Sequence, residues 1–150
     1  MRGSERFTQR ASTAITKAHD AALGMGHSYV GTEHLLLGII REGEGLGARI
    51  LTDNALTDAV LTRMVTETVG RGVPGAPEQG LSPRARHVIE LAAEDANRLG
   101  HCYVGTEHIL MGILREADSA GARIIVAAGG EVRFHTQLVG LHFEDGLLAA

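Results

Sequence analysis

The sequence predicts an all-α fold built from two similar lobes, and two observations carry this prediction. Comparing residues 7–51 with residues 81–125, at an offset of 74, gives 22 identities in 45 positions. Repetition of this length indicates two copies of one folding unit. Apolar residues recur at helical spacing, and no segment alternates as a half-buried strand would. We therefore expect eight helices, four in each repeat, with the repeats related by a pseudo-two-fold axis.

The composition narrows the class of protein. Of the 150 residues, 44% are hydrophobic but only 3% are aromatic, so the core is expected to consist of Leu, Ile, Val, Ala and Met. The net charge is −4 and there is no basic block, so nucleic acid is not an expected partner. A single cysteine, no signal peptide and no apolar run of about 20 residues predict a cytoplasmic protein that does not enter a membrane.

The near-absence of lysine excludes one common enzyme class. Lys17 is the only lysine, and no glycine-rich loop precedes it. A phosphate-binding P-loop requires the pattern Gly-x-x-x-x-Gly-Lys-Ser/Thr. The chain therefore contains no ATPase site of this kind.

Capping signals define the helices of the first repeat. Thr8 precedes alanines at helical spacing and is predicted as the N-cap of the first helix. Thr32 is predicted as the N-cap of the second helix, with Glu33 in its first turn, where the helix dipole favours a carboxylate. Apolar spacing predicts a short third helix over about 46–53 and a fourth over about 56–69.

A segment dense in glycine and proline separates the two repeats. It spans residues 70–80 and is predicted to be a linker. Ser82 followed by Pro83 is a strong helix start, and the pattern of the first repeat then returns, with its last two helices at about 119–128 and 131–140. The predicted organisation is a leader at 1–6, a first repeat at 7–69, the linker at 70–80, a second repeat at 81–140 and a tail at 141–150.

The repeated motif resembles a known family. Gly-Thr-Glu-His occupies 31–34 and again 105–108, each time opening an apolar stretch that closes on Arg-Glu. This doubled motif resembles the N-terminal repeat domain of Clp AAA+ unfoldases, and Arg-Glu-Gly-Glu-Gly at 41–45 is most similar to the ClpC branch. The resemblance covers about residues 5–140. It implies a helical domain, flexibly joined to the ATPase rings, that receives adaptors and protein substrates before unfolding and ClpP proteolysis.

The resemblance also implies a ligand site in each half. In ClpC of some bacteria this domain recognises phosphoarginine. Glu33 and Glu107 correspond to the glutamates that hold the guanidinium group, and Thr8, Ser82 and Arg86 to groups that assist with phosphate. The chemistry is reasonable, because carboxylates bind guanidinium groups through paired hydrogen bonds and helix N-termini attract anions. A purely structural role is the alternative, since acids and hydroxyls favour helix starts in any protein.

Two departures from the family pattern lead to further expectations. Members often carry a basic residue where this chain has Ser12, whereas its counterpart Arg86 is basic. Grouping residues by repeat, we expect unequal sites, with the site of the second repeat binding phosphate better, so that Glu107→Ala costs more affinity than Glu33→Ala. The actinobacterial pattern also has phenylalanines that bind cyclic-peptide antibiotics. Ser4 and Leu81 stand there, so calorimetry is expected to show weak or absent binding.

Other functions find less support. Histidine pairs seven residues apart do not match helical metal-ligand spacing, so neither a metal nor a cofactor is expected. A small enzyme using Cys102 and histidine is a remote alternative, because no catalytic base accompanies the cysteine and Ser28 is its repeat partner. No catalytic residues are therefore expected. The chain is either a domain of an unfoldase or a free-standing Clp-N-like protein that acts as a decoy or scavenger of unfoldase ligands.

Overall fold

Helices account for most of the chain in the computed structural model, which describes residues 6–75 and 77–128. Within these ranges there are seven helices and no strand, which confirms the all-α prediction there. The predicted helix at about 131–140 and the tail at 141–150 lie outside the described residues, as do residues 1–5 of the leader. The helices are α1 (Gln9–Gly24), α2 (Thr32–Glu42), α3 (Leu46–Asp53), α4 (Asp58–Val69), α5 (Pro83–Arg98), α6 (Thr106–Arg115) and α7 (Ala120–Ala127).

Two of the three predicted hydroxyl caps, Thr8 and Ser82, are confirmed. The Thr8 hydroxyl accepts a hydrogen bond from the Ala11 N–H at 3.0 Å, at the start of α1. The Ser82 hydroxyl accepts one from the Ala85 N–H at 3.1 Å, and Pro83 is the first residue of α5. Each cap satisfies an N–H group that the first turn of a helix leaves without a partner.

The predicted cap at Thr32 is wrong. The N-cap of α2 is Gly31, and that of α6 is Gly105, so each helix begins at the threonine itself. The threonine hydroxyls bond across the lobes instead, where Thr32 Oγ1 accepts from the Gly121 N–H at 2.8 Å. This bond satisfies a buried N–H in the first turn of α7, a requirement that local sequence does not reveal.

Close approach of helices in each lobe depends on a glycine. The side-chain position of Gly38 in α2 faces the backbone of α1, where an added Cβ would overlap the Ala14 carbonyl oxygen. Gly112 in α6 plays the same part, since an added Cβ would lie 2.7 Å from the Val88 carbonyl oxygen of α5. The two lobes therefore repeat one tight helix crossing as well as one sequence.

The core is continuous through both lobes and, as expected, aliphatic. Helix α2 packs on α7, and α3 on α6, so each lobe contacts the other through its second and third helices. The largest fully buried side chains are all leucine or isoleucine: Leu35, Leu36, Leu37, Ile39, Ile50, Leu51, Leu61, Ile109, Leu110, Ile113 and Ile124.

Candidate functional site

The start of each repeat is bonded to the other repeat. Phe7 and Val104 form a parallel bridge in which the Thr8 N–H donates to the Val104 carbonyl at 3.0 Å. Val30 and Leu81 form the matching bridge, in which the Ser82 N–H donates to the Val30 carbonyl at 2.9 Å. The two bonds correspond at the repeat offset of 74, because Thr8 is the counterpart of Ser82 and Val30 is the counterpart of Val104. The N-cap of α1 therefore lies beside the second repeat's Gly-Thr-Glu-His segment, and the N-cap of α5 beside the first repeat's.

We call the place where the start of α1 meets the second repeat's Gly-Thr-Glu-His segment the Glu107 junction, and the place where the start of α5 meets the first repeat's segment the Glu33 junction. The Glu107 junction contains a cleft of about 200 Å³. Three helix N-caps line it, Thr8 of α1, Gly45 of α3 and Gly105 of α6, so the positive ends of three helix dipoles converge there. Glu107 adds a carboxylate to the lining of the cleft. The complete set of lining residues is Thr8, Arg10, Gly45, Leu46, Tyr103, Gly105, Thr106 and Glu107.

The two sequence-predicted glutamates are largely buried. The side chain of Glu33 is 13% exposed and that of Glu107 is 5% exposed. Burial raises the pKa of Glu33 above its usual value, against weaker opposing effects from a backbone hydrogen bond and from His27. No Arg or Lys of the described ranges lies within ion-pair distance of Glu33. A cationic ligand would supply the charge that its surroundings lack.

Histidine relays support the Gly-Thr-Glu-His turns. The Gly31 N–H donates to His34 Nδ1 at 2.8 Å, so His34 Nε2 carries the proton and donates to His27 Nδ1 at 2.7 Å. His27 Nε2 in turn donates to the Gly70 carbonyl at 2.8 Å. Burial, followed by the effect of His27, lowers the pKa of His34 to about 4. The relay therefore operates with a neutral ring on His34.

The second repeat has the same arrangement at its turn. The Gly105 N–H donates to His108 Nδ1 at 2.9 Å, and His108 Nε2 lies 2.8 Å from His101 Nδ1. Within the described residues, no three His, Cys, Asp or Glu side chains gather in a way that could hold a metal ion. The histidines that the sequence singled out thus bond to each other and to the backbone of the turns.

The candidate phosphate-binding groups differ in availability. The hydroxyls of Thr8 and Ser82 already cap their helices, although an oxygen that accepts one bond still has an O–H to donate. Arg86 is exposed on α5, one turn beyond Ser82, and makes no ion pair with the described part of the chain. Its repeat counterpart is Ser12 in α1, so α1 has no cation at the position that corresponds to Arg86.

The helix starts of each repeat lie beside the Gly-Thr-Glu-His segment of the other repeat. Because the starts of α1 and α5 bond to opposite repeats, Thr8 lies with Glu107, and Ser82 lies beside the segment that carries Glu33. Arg86 follows Ser82 by one turn on α5, the helix whose start is bonded to the segment that carries Glu33. Sequence order does not show which lobe a helix start faces, and the expectation that the second repeat holds the better phosphate site stays a prediction.

Two residues of the cleft were missed by the sequence reasoning. Tyr103 lines it, with its ring stacked on His101 at a centroid distance of 5.5 Å. Arg10 lines it too and lies 3.9 Å from Glu42. Both recur at the repeat offset, as Tyr29 and Arg84, and this recurrence was the signal that could have identified them.

Three further sequence features have defined positions. Cys102 is exposed, and its neighbour His101 is engaged by His108 through Nδ1. Leu81 is partly buried against the core, while Ser4 lies outside the described residues. Across 6–75 and 77–128, none of the helices combines the length and apolar character that crossing a bilayer requires.

Comparisons with known proteins identify a family over most of the chain. Residues 6–128 match the family model of the Clp repeat (R) N-terminal domain. The chain is 44% identical over 120 residues to the negative regulator of genetic competence ClpC/MecB of Bacillus subtilis, covering 80% of this chain and 15% of that protein. It is 38% identical over 148 residues to the chloroplastic chaperone protein ClpC1 of Arabidopsis thaliana, covering 97% of this chain and 16% of that protein.

Solved structures show the same fold. The N-terminal domain of the Caseinolytic protease associated chaperone ClpD from Arabidopsis thaliana aligns with a TM-score of 0.71 at 26% identity, covering 89% of this chain and 98% of that one. The Hsp104 N-terminal domain from Candida albicans aligns with a TM-score of 0.70 at 21% identity, covering 90% of each. The chain thus matches whole N-terminal domains but spans about 15% of the curated relatives' length.

Proposed function

The chain belongs to the Clp repeat (R) N-terminal domain family, and we propose that it is a non-catalytic recognition domain of the ClpC type. Its ligands would be adaptor proteins and protein substrates of the ClpC/ClpP degradation machinery, in the cytoplasm, with phosphoarginine as the specific mark it binds. The B. subtilis relative is a ClpC protein, which supports this branch of the family.

The observation that carries the proposal is the pairing of Thr8 with Glu107 in one cleft between the lobes. Phosphoarginine joins a planar cation to a dianionic phosphate. A buried carboxylate suits the guanidinium group, because paired charge-assisted hydrogen bonds are strong where water is excluded. The helix starts around the same cleft suit the phosphate group. One cleft thus offers a partner for the cationic end of this ligand and a partner for its anionic end.

The positions within the cleft suggest how the phosphate would lie. Glu42 already accepts hydrogen bonds from the Glu44 and Gly45 N–H groups at the start of α3, at 3.1 and 2.7 Å. The start of α1, which carries Thr8 and Arg10, is therefore the position best suited to phosphate. At the other junction, Ser82 and Arg86 would take this role for a guanidinium bound by Glu33.

A calorimetric titration with free phosphoarginine tests the proposal. We expect saturable binding with two sites per chain, and the Glu33→Ala/Glu107→Ala double variant should abolish it. Each single substitution removes one charge-assisted interaction and should cost about 1.5–3 kcal/mol at its own site. Free arginine at the same concentrations shows how much of the affinity comes from phosphate.

Controls separate loss of the ligand site from loss of the fold. Glu90 is exposed on α5, so Glu90→Ala removes one carboxylate without touching either junction and should bind as the wild type does. Helical circular dichroism must be unchanged in every variant. Absence of binding to the folded wild-type chain would reject the phosphoarginine role, and binding that survives in the double variant would reject Glu33 and Glu107 as its ligands.

A further inference from the structure

The linker between the repeats lies along the first lobe. Gly72 donates its N–H to the Met25 carbonyl at 2.9 Å, and Gln79 donates to the Ser28 carbonyl at 2.6 Å. These bonds anchor both ends of the linker to the loop that follows α1. The last residues of the linker continue directly into Ser82, the N-cap of α5. The path of the linker therefore determines where α5 begins.

One side-chain pair attaches the linker to α1. His19 of α1 donates through Nδ1 to Glu78 of the linker, and the other Glu78 oxygen accepts from the Gly80 N–H at 2.7 Å. The Gly80 carbonyl in turn accepts from the Val30 N–H at 2.9 Å, next to the Gly-Thr-Glu-His segment. The hydrogen bond from His19 is the main cause of a lowered pKa at Glu78.

The second repeat has no equivalent pair. At the repeat offset, the counterpart of His19 is Ala93, which has no side-chain donor. Position 93 of α5 therefore cannot make the bond that His19 makes from α1. The junction at Ser82 therefore carries a constraint that the junction at Thr8 lacks.

We propose that His19 and Glu78 are positioning residues for the Glu33 junction, holding the linker so that Ser82 stays bonded to Val30 beside Glu33. A linker rich in glycine and proline has many conformations when it is released. A ligand that needs Ser82 and Glu33 together would have to order it, and binding would weaken by that cost. The ligand part of this inference rests on the proposed function, whereas the linker part does not.

Amide hydrogen exchange tests the linker part without any ligand. In His19→Ala, exchange of the Val30 and Ser82 amides should accelerate about two- to fivefold, the range typical of a partly exposed ion pair. His19→Lys restores a cation and should restore most of the protection. The amides of Thr8 and Val104 form the same kind of bridge without the pair, so they are the internal control and should not change.

Calorimetry tests the positioning part. With Glu107→Ala present, only the Glu33 junction remains, and adding His19→Ala should weaken phosphoarginine about two- to fivefold. With Glu33→Ala present, the same change should have no effect. Unchanged exchange at Val30 and Ser82 overturns the inference, and so does faster exchange with equal affinity at the Glu33 junction. If the wild type does not bind phosphoarginine, the proposed function fails, while the exchange data still decide whether the pair holds the linker.

Discussion

Thr106 in the second lobe accepts a hydrogen bond from the N–H of Gly47 in the first lobe, at 2.9 Å. Thr32 accepts the reciprocal bond from Gly121. Each bond joins the start of the helix that carries a site glutamate to the third helix of the other lobe. The orientation of both glutamates thus depends on contact between the lobes.

Replacing Thr106 with valine should destabilise the fold by about 1–3 kcal/mol. Valine fills a similar volume but accepts no hydrogen bond, so the buried Gly47 N–H loses its partner. Urea denaturation followed by circular dichroism measures the change. Thr106→Ser keeps the hydroxyl and should retain most of the stability, while Thr52→Val on the exposed side of α3 is the matched control. Equal stability of Thr106→Val and wild type would show that the bond contributes nothing.

Replacing Gly112 with alanine should cost about 1–3 kcal/mol through overpacking at the α5–α6 crossing. Its new Cβ would meet the Val88 carbonyl oxygen, and backbone atoms cannot yield as a flexible side chain does. Gly24→Ala is the control, because nothing lies within 4 Å of its added Cβ. Since alanine favours helix over glycine, Gly24→Ala should be neutral or stabilising. Thermal unfolding measures the stability of both variants. Equal melting temperatures for Gly112→Ala and Gly24→Ala would contradict the crossing geometry.

Acidification should destabilise the fold through His34. Its pKa is about 4 in the folded state and 6.5 when unfolded, so the unfolded chain binds more protons between these values. Stability from this group is complete above pH 6.5 and is lost as the pH falls towards 4, by about 3 kcal/mol in total. Denaturant unfolding at a series of pH values measures the slope.

Glu33 must be removed from that measurement because it acts with the opposite sign. Its pKa is raised in the folded state, so its contribution falls as the pH rises above the usual carboxyl value of 4.5. Glu33→Gln therefore serves as the reference background, and His34→Asn in that background should lose the slope between pH 6.5 and 4. An NMR titration of His34 with a midpoint near 6.5 would show that its surroundings do not disfavour the protonated ring.

The two ligand junctions should differ in the direction opposite to that expected from sequence. Arg86 lies one turn beyond Ser82, the residue bonded to Val30, so we expect it to assist the Glu33 junction rather than the Glu107 junction. We expect Glu33→Ala to cost more phosphoarginine affinity than Glu107→Ala. Arg86→Ser should equalise the two sites by calorimetry, and Ser12→Arg should strengthen the Thr8 side. A larger loss in Glu107→Ala would instead support the ranking of the two sites expected from sequence.

Much of the fold could be predicted from sequence. Thr8, Ser82 and Pro83 act through neighbours in the chain, so their capping roles follow from local pattern. Thr32 could not be assigned in this way, because its hydroxyl serves a helix 89 residues away. The positions of Arg10 and Tyr103 in the cleft could not be predicted either, because the cleft is formed by residues of both lobes.

The sequence by itself determined that the chain is helical and duplicated, that its core is aliphatic, and which residue types recur at the two helix starts. These properties depend on spacing and composition, which are local. Only the tertiary structure decided that Thr8 lies with Glu107 and that Ser82 lies beside the segment carrying Glu33. Both arrangements of the lobes would preserve the same helices and caps. The choice between them is made by the buried bonds and packing at the interface between the lobes, where partners are far apart in the chain.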